Sequence, residues 1–223
     1  MDFAQDTLVM LSGGMESVTA LHYVKHHSAA RVAAIFVNLG QDSAIRQLAR
    51  AKEHCNLLGV HLEVLNLPDV RNLFLDVVEP PYNLVAEGPR GLSPEIFGCY
   101  DSVGATVMSA LYAANHGYTQ TIYGATASDR DRAPEIERML SGTEDIVRAS
   151  WGRGTTMIAP FLQMTDEEVA ALALAERVDI SRTWSCHYGG IEHCGSCERC
   201  LKRQRVFGVL DAKTIAGFGV TVP

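Results

Sequence analysis

The chain has 223 residues, 47% of them apolar and 20% charged, enough for one sizeable α/β domain with at most a small appendage. Its formal net charge of −7 argues against a broad nucleic-acid-binding face, and no apolar run is long enough to span a membrane. The opening MDFAQDTLVML lacks the basic start and long apolar core of a signal peptide, so a soluble, cytoplasmic protein is expected.

In chain order, Thr7 to Leu11 reads as a short buried strand, broken by Ser12-Gly13-Gly14. Helical spacing follows from Glu16 to about His27, and Arg31 to Val37 is a second apolar strand. Ser43 to Leu58 has helical spacing and stops at Gly59, and His61 to Leu67 alternates like a third strand. This alternation implies parallel βαβ units joined by right-handed crossovers. Glu79 to Pro94 carries four prolines and two glycines and reads as a loop that covers a site. Ile96 to His116 is expected as a buried helix and Thr121 to Gly124 as a strand. Ala125 to Arg132 reads as a polar loop before Pro134, a residue suited to a first helical turn. Thr156 to Leu162 is expected as a strand, and Thr165-Asp166-Glu167-Glu168 opens a helix with a cap and early acidic residues. The organisation expected is a nucleotide-binding domain over 1–180 and a metal-binding segment over 181–223.

Leu11-Ser12-Gly13-Gly14-Met15-Glu16-Ser17 lies where the first strand hands over to a helix. Glycines there let the backbone approach an oxyanion, free N–H groups at the helix start attract phosphate, and the Ser12 and Ser17 hydroxyls add donors. The plain alternative is an ordinary strand-to-helix turn. The end of a first strand is where open α/β sheets bind ligands, which favours the phosphate reading.

Of six cysteines, Cys186, Cys194, Cys197 and Cys200 fall within fifteen residues, spaced C-x7-C-x2-C-x2-C. Such thiolates can converge on one ion, and four of them make a closed tetrahedral zinc shell of structural type. An iron–sulfur cluster is the rival metal group. His187 and His193 are alternative ligands but read more simply as loop histidines, and Cys55 and Cys99 read as packed thiols.

The S-G-G loop resembles that of the ATP-pyrophosphatase superfamily, which has the form S-G-G-x-D-S and adenylates an acyl or amide oxygen with release of pyrophosphate. By that resemblance Ser12, Gly13, Gly14 and Ser17 hold phosphate oxygens, with Leu11 and Met15 in the same loop. Glu16 stands where the superfamily form has aspartate, one methylene longer, and with Ser17 would carry catalysis on a magnesium-bound ATP. Together with W-S-C…C-G-x-C-x-x-C and the arginine-bearing stretch after it, the loop resembles the 7-cyano-7-deazaguanine synthase family over nearly the whole chain. Val37 to Gln41 sits like the family's hydrophobic-Y-G-Q element, which would place Val37 and Gln41 at the nucleotide. The resemblance implies a Rossmann-like ATP-pyrophosphatase fold, a parallel twisted sheet flanked by helices, with structural zinc on the four cysteines. It implies two ATP-dependent steps in which ammonia converts 7-carboxy-7-deazaguanine to an amide and then to the nitrile.

The middle departs from the family form. Cys99-Tyr100-Asp101-Ser102 stands in place of P-G-R-N, and Asp129 to Glu135 in place of Y-P-D-C-R. Asp101, Asp129 and Arg132 are the substrate-facing candidates there, against the plainer reading of a solvated charged loop. Two other functions follow from these departures. One is a paralogue that passes its adenylate to a different amine, on a small molecule or a protein, as in a biosynthetic or antiviral-defence cluster. The other is a non-catalytic ATP-binding module. A homodimer is the default expectation for assembly.

Overall fold

The structure, a computed structural model, describes residues 4–69, 94–126 and 133–215. Its strands are β1 (Thr7–Met10), β2 (Val32–Asn38), β3 (His61–Asn66), β4 (Gln120–Ile122) and β5 (Thr156–Ile158). Its helices are α1 (Met15–His27), α2 (Ala44–Leu58), α3 (Pro94–His116), α4 (Ala133–Trp151), α5 (Asp166–Ala175) and α6 (Glu198–Ile215), with a 3-10 turn at Ile180–Arg182.

The five strands form one sheet in the order β3-β2-β1-β4-β5, and every pairing is parallel. Alternation along each strand feeds two cores. Val9, Leu11, Ala34 and Phe36 face one side, with α1, α2 and α5; Leu8, Met10, Ala33, Ile35 and Val37 face the other, with α3 and α4. Both faces are therefore covered, which is why these strands are apolar throughout.

The chain winds outward from β1 to β3, then returns through α3 to place β4 on the other side of β1. That reversal opens a crevice at the carboxyl ends of β1 and β4, the usual ligand position in such sheets. Two helix ends show how local sequence sets the boundaries. Gly59 ends α2 with φ +62°, while its own amide and that of Val60 close onto the last turn. Thr165 and Glu168 form a reciprocal capping box at the start of α5, worth about 1 kcal/mol.

Three boundaries differ from the sequence-based expectation. α3 begins at Pro94, β4 covers Gln120–Ile122, and β5 stops at Ile158 instead of Leu162. Pro160 lacks the N–H a ladder needs, and the chain turns there, with Leu162 and Met164 donating to Ala159 and Phe161. The expected loop over 79–94 lies outside the described residues apart from Pro94. Among the described residues no helix is long and apolar enough to cross a membrane.

Candidate functional site

The first loop after β1 is built to expose its backbone. Gly13 has φ +75°, and a Cβ there would stand 2.4 Å from the Gln47 carbonyl oxygen, so only glycine fits. Gly14 precedes α1 and offers no side-chain cap, leaving the first-turn amides without intrahelical acceptors. The two serines brace this loop across its base. Their hydroxyl oxygens are 3.0 Å apart, the Ser17 hydroxyl donates to the Gly14 carbonyl at 3.1 Å, and the Gly14 amide donates to Ser12 Oγ at 3.3 Å. From the other side, Gly124 after β4 lies so close that a Cβ would be 3.0 Å from the Ser17 nitrogen. The loop thus sits at the β1/β4 crevice, with amides, hydroxyls and a helix start converging there.

A charged cluster borders the loop. Lys202 of α6 places its ammonium 2.9 Å from Glu16 Oε1 and 2.8 Å from Asp166 Oδ1. Asp166 is only 2% exposed, and it also accepts from Thr126 Oγ1 at 2.7 Å and from Arg205 at 3.1 Å. Arg205 reaches Glu167 as well, at 3.3 Å. Burial works against the charge on Lys202, but the carboxylates of Glu16 and Asp166 outweigh it and hold its pKa above the ordinary lysine value.

The second centre is the cysteine group. The sulfurs of Cys186, Cys194, Cys197 and Cys200 all lie within 4.8 Å of one another, and those of Cys194 and Cys200 are 3.8 Å apart. Four thiolates about 2.3 Å from one tetrahedral ion stand about 3.8 Å apart, so the sulfurs fit a single metal. Backbone amides of Tyr188 and Cys194 point at Cys186 Sγ, and that of Cys197 at Cys194 Sγ. Burial alone would raise the Cys194 thiol; hydrogen bonds from the Ser196 and Cys197 amides and from the Ser196 hydroxyl outweigh it and bring it down to about 6. Burial pushes the Cys186 and Cys200 thiols up, and a cation held among the sulfurs would favour their thiolates instead.

Neither histidine beside the cysteines belongs to this group. His193 stacks on Trp184 with ring centroids 4.3 Å apart, and its Nε2 accepts from the Ser185 amide at 3.1 Å. Burial, then Arg199, lowers the His187 pKa to about 4. The segment is strapped to the rest of the molecule by Arg203, which donates to Thr183 Oγ1, Ser185 Oγ and the Ile180 carbonyl. The Trp184 amide donates to the Gly13 carbonyl at 2.8 Å. Gly189 lies against Asp42, where a Cβ would overlap the Asp42 carbonyl oxygen. The cysteine segment and the phosphate-type loop are thus in direct contact.

A protein-family model described as queuosine biosynthesis protein QueC matches residues 6–210. The chain belongs to that family. It is 29% identical over 231 residues to the 7-cyano-7-deazaguanine synthase of Porphyromonas gingivalis, covering 96% of this chain and 98% of that protein. The corresponding synthase of Caldicellulosiruptor bescii is 29% identical over 210 residues, with coverage of 92% and 94%. Among solved structures, the NH3-dependent NAD synthetase of Campylobacter jejuni superposes with a TM-score of 0.54 at 16% identity, over 96% of this chain and 78% of that one. That likeness speaks to the fold, which is of the ATP-pyrophosphatase type.

In this member of the QueC family, Ser12, Gly13, Gly14, Glu16 and Ser17 come together at the crevice, while Leu11 and Met15 turn their side chains into the core. Val37 is buried at the end of β2. The Gln41 side chain is used within its own loop, accepting from the Leu39 amide and donating to the Val37 carbonyl and to Gln47. Asp101 falls within α3, and Asp129 and Arg132 lie outside the described residues. Cys55 is a packed thiol, raised to about 12 by burial. Reading the sequence alone missed Lys202, Asp166 and Thr126 as site residues. The acidic start of α5 was the only signal, and it reads equally as a complement to the helix dipole.

Proposed function

We propose that the chain is an ATP-dependent, C–N bond-forming enzyme that makes 7-cyano-7-deazaguanine from 7-carboxy-7-deazaguanine and ammonia. The single observation that carries this reading is the bare-backbone loop at the β1/β4 crevice, in a chain aligned end to end with synthases of that name. A substrate carboxylate oxygen would attack the α-phosphorus of ATP and expel pyrophosphate. Ammonia would then displace AMP to give the amide, whose oxygen is adenylated in turn; loss of AMP and a proton leaves the nitrile.

The chain's own residues would act by position and charge. The amides of Gly14 to Ser17 and the Ser12 and Ser17 hydroxyls would hold the phosphate oxygens. The α1 dipole would favour the charge that develops on them. Magnesium would accompany ATP, and Glu16 would be a carboxylate ligand to it; the ion would supply Lewis-acid stabilisation of the leaving pyrophosphate. No enzyme nucleophile is required, in keeping with a buried Cys55. On the cysteine group we favour zinc: sulfurs this close suit one ion, and a four-thiolate shell leaves no open position for chemistry.

The experiment is product analysis after incubation with ATP, magnesium, ammonium and 7-carboxy-7-deazaguanine. Nitrile and AMP support the reading. AMP with an amide as the final product, or with a mass gain on a protein, would instead support a paralogue with another acceptor. Assembly as a homodimer is part of the proposal, to be checked by light scattering.

A further inference from the structure

We propose that Lys202 is the cation that receives the pyrophosphate half of ATP, positioned for that role by the metal-bound start of α6. The inference rests on the ATP reading above and adds to it a residue contributed by the cysteine segment.

The geometry has three parts. First, the ammonium lies at the crevice and not beside it. Its partner Glu16 belongs to the phosphate-type loop, and Glu16 Oε2 is 3.6 Å from the point where a Cβ on Gly14 would stand. Ser12 Oγ is 3.4 Å from that same point. Lys202, Glu16, Ser12 and the Gly14 backbone therefore border one small volume above the start of α1.

Second, the two carboxylates that hold Lys202 are unlike each other. Asp166 is buried and fixed by Thr126 and Arg205, which ties the ammonium to the β4 side of the crevice. Glu16 has a 23% exposed side chain and stands on the rim of the loop. An incoming polyphosphate can compete with Glu16 for Lys202 while Asp166 still holds the ammonium in place. Third, Lys202 is two residues beyond Cys200 and adjacent to Arg203, which grips the Ile180–Ser185 segment. The metal shell and the arginine strut together fix where the ammonium can reach, so the cysteine group serves the ATP site through this lysine.

A clip that merely held α6 to α1 would show the same ion pairs, so the test reads ligand preference as well as integrity. Titration calorimetry of the full metal-loaded chain would be run with ATP, inorganic pyrophosphate and AMP, each with magnesium. Lys202→Met should weaken pyrophosphate and ATP by about tenfold or more, the size of a lost charge-assisted hydrogen bond. AMP affinity should stay unchanged, and Lys202→Arg should restore most of the loss. Equal weakening of AMP and pyrophosphate, or no weakening of pyrophosphate, overturns the inference while leaving the ATP reading intact. If the unaltered protein binds neither ATP nor pyrophosphate, the ATP reading falls and this falls with it. Should Lys202→Met fail to fold, reductive methylation of the unaltered protein decides: pyrophosphate but not AMP should shield Lys202, and equal labelling with and without pyrophosphate contradicts the assignment.

Discussion

The backbone amide of Trp184 donates a 2.8 Å hydrogen bond to the carbonyl of Gly13. One residue belongs to the cysteine segment near the C-terminus and the other to the tightest point of the first loop. The bond means that these two motifs form one structural unit, whatever the sequence distance between them. It also fixes the direction of the Gly13 peptide, whose φ of +75° already excludes most side chains.

Gly13→Ala should therefore be costly out of proportion to its size. The added Cβ would meet backbone of α2 at 2.4 Å, an obstacle no rotamer change can relieve. We expect a loss of about 1–3 kcal/mol in stability, read as a lower Tm, together with loss of pyrophosphate release. A variant of native Tm would show that the loop conformation is not the one described.

Metal analysis should return one zinc per chain. Chelation should lower the Tm and also weaken ATP binding, because Cys200, Lys202 and Arg203 share the first turns of α6 and Trp184 holds Gly13. Cys197→Ser should loosen this segment first. A folded, fully ATP-binding protein free of metal would refute the structural role, and a coloured, iron-rich protein would refute zinc.

Asp166→Ala removes the buried anion that Lys202, Arg205 and Thr126 share. Asp166 itself is buried, but the Lys202 and Arg205 side chains are 25% and 61% exposed and regain water, so the cost is about 1–3 kcal/mol, that of a donor left without its buried acceptor. Chemical denaturation should show a loss in that range, with Asp166→Asn costing less because its amide oxygen still accepts. A change comparable to that of an exposed carboxylate would contradict the burial described.

The His22–His54 pair sets a pH limit. Their rings are buried with His22 Nε2 and His54 Nδ1 3.0 Å apart, a contact that holds one proton and not two. The outer nitrogens, His22 Nδ1 and His54 Nε2, face the backbone near Glu176 and Arg182 without completing a hydrogen bond. Burial first, then the neighbouring His54 and His26, lowers the His22 pKa to about 4; Glu176 works weakly the other way. The unfolded chain thus binds a proton at higher pH than the folded one does. Stability should hold above about pH 6.5, the ordinary histidine value, and fall as pH drops from there towards 4. His22→Gln should flatten that part of the profile, as followed by urea midpoints. An unchanged slope would assign the effect elsewhere.

The first half of the sheet was legible because β1 through β3 alternate with α1 and α2 at short range, and each apolar period matches its element. The cysteine group was equally plain, since its spacing is itself the geometry of the site. What could not be read was any pairing that depends on two distant segments. Nothing in Asp166 or Lys202 reports that they meet, and a lysine two places after a cysteine looks like a solvated helix residue. The departure at Glu16 was visible, yet its partner was not. The longer carboxylate is seen only in the fold to reach the Lys202 ammonium. The apolar pattern of Ala159 to Leu162 extends a strand past Ile158, whereas Pro160, which has no N–H to give the ladder, ends β5 there.

The central claim is that the loop after β1 activates a carboxylate with ATP, and one measurement tests it most directly. Pyrophosphate and AMP would be followed with 7-carboxy-7-deazaguanine, ammonium and magnesium, comparing the unaltered chain with Ser12→Ala. We predict AMP and pyrophosphate in step with nitrile formation, and a loss of about a hundredfold in Ser12→Ala, the scale of removing one donor to developing charge, in a chain that stays folded with a Tm lowered only by the lost loop hydrogen bonds. Absence of AMP from the unaltered chain, or its undiminished release by Ser12→Ala, would contradict the account.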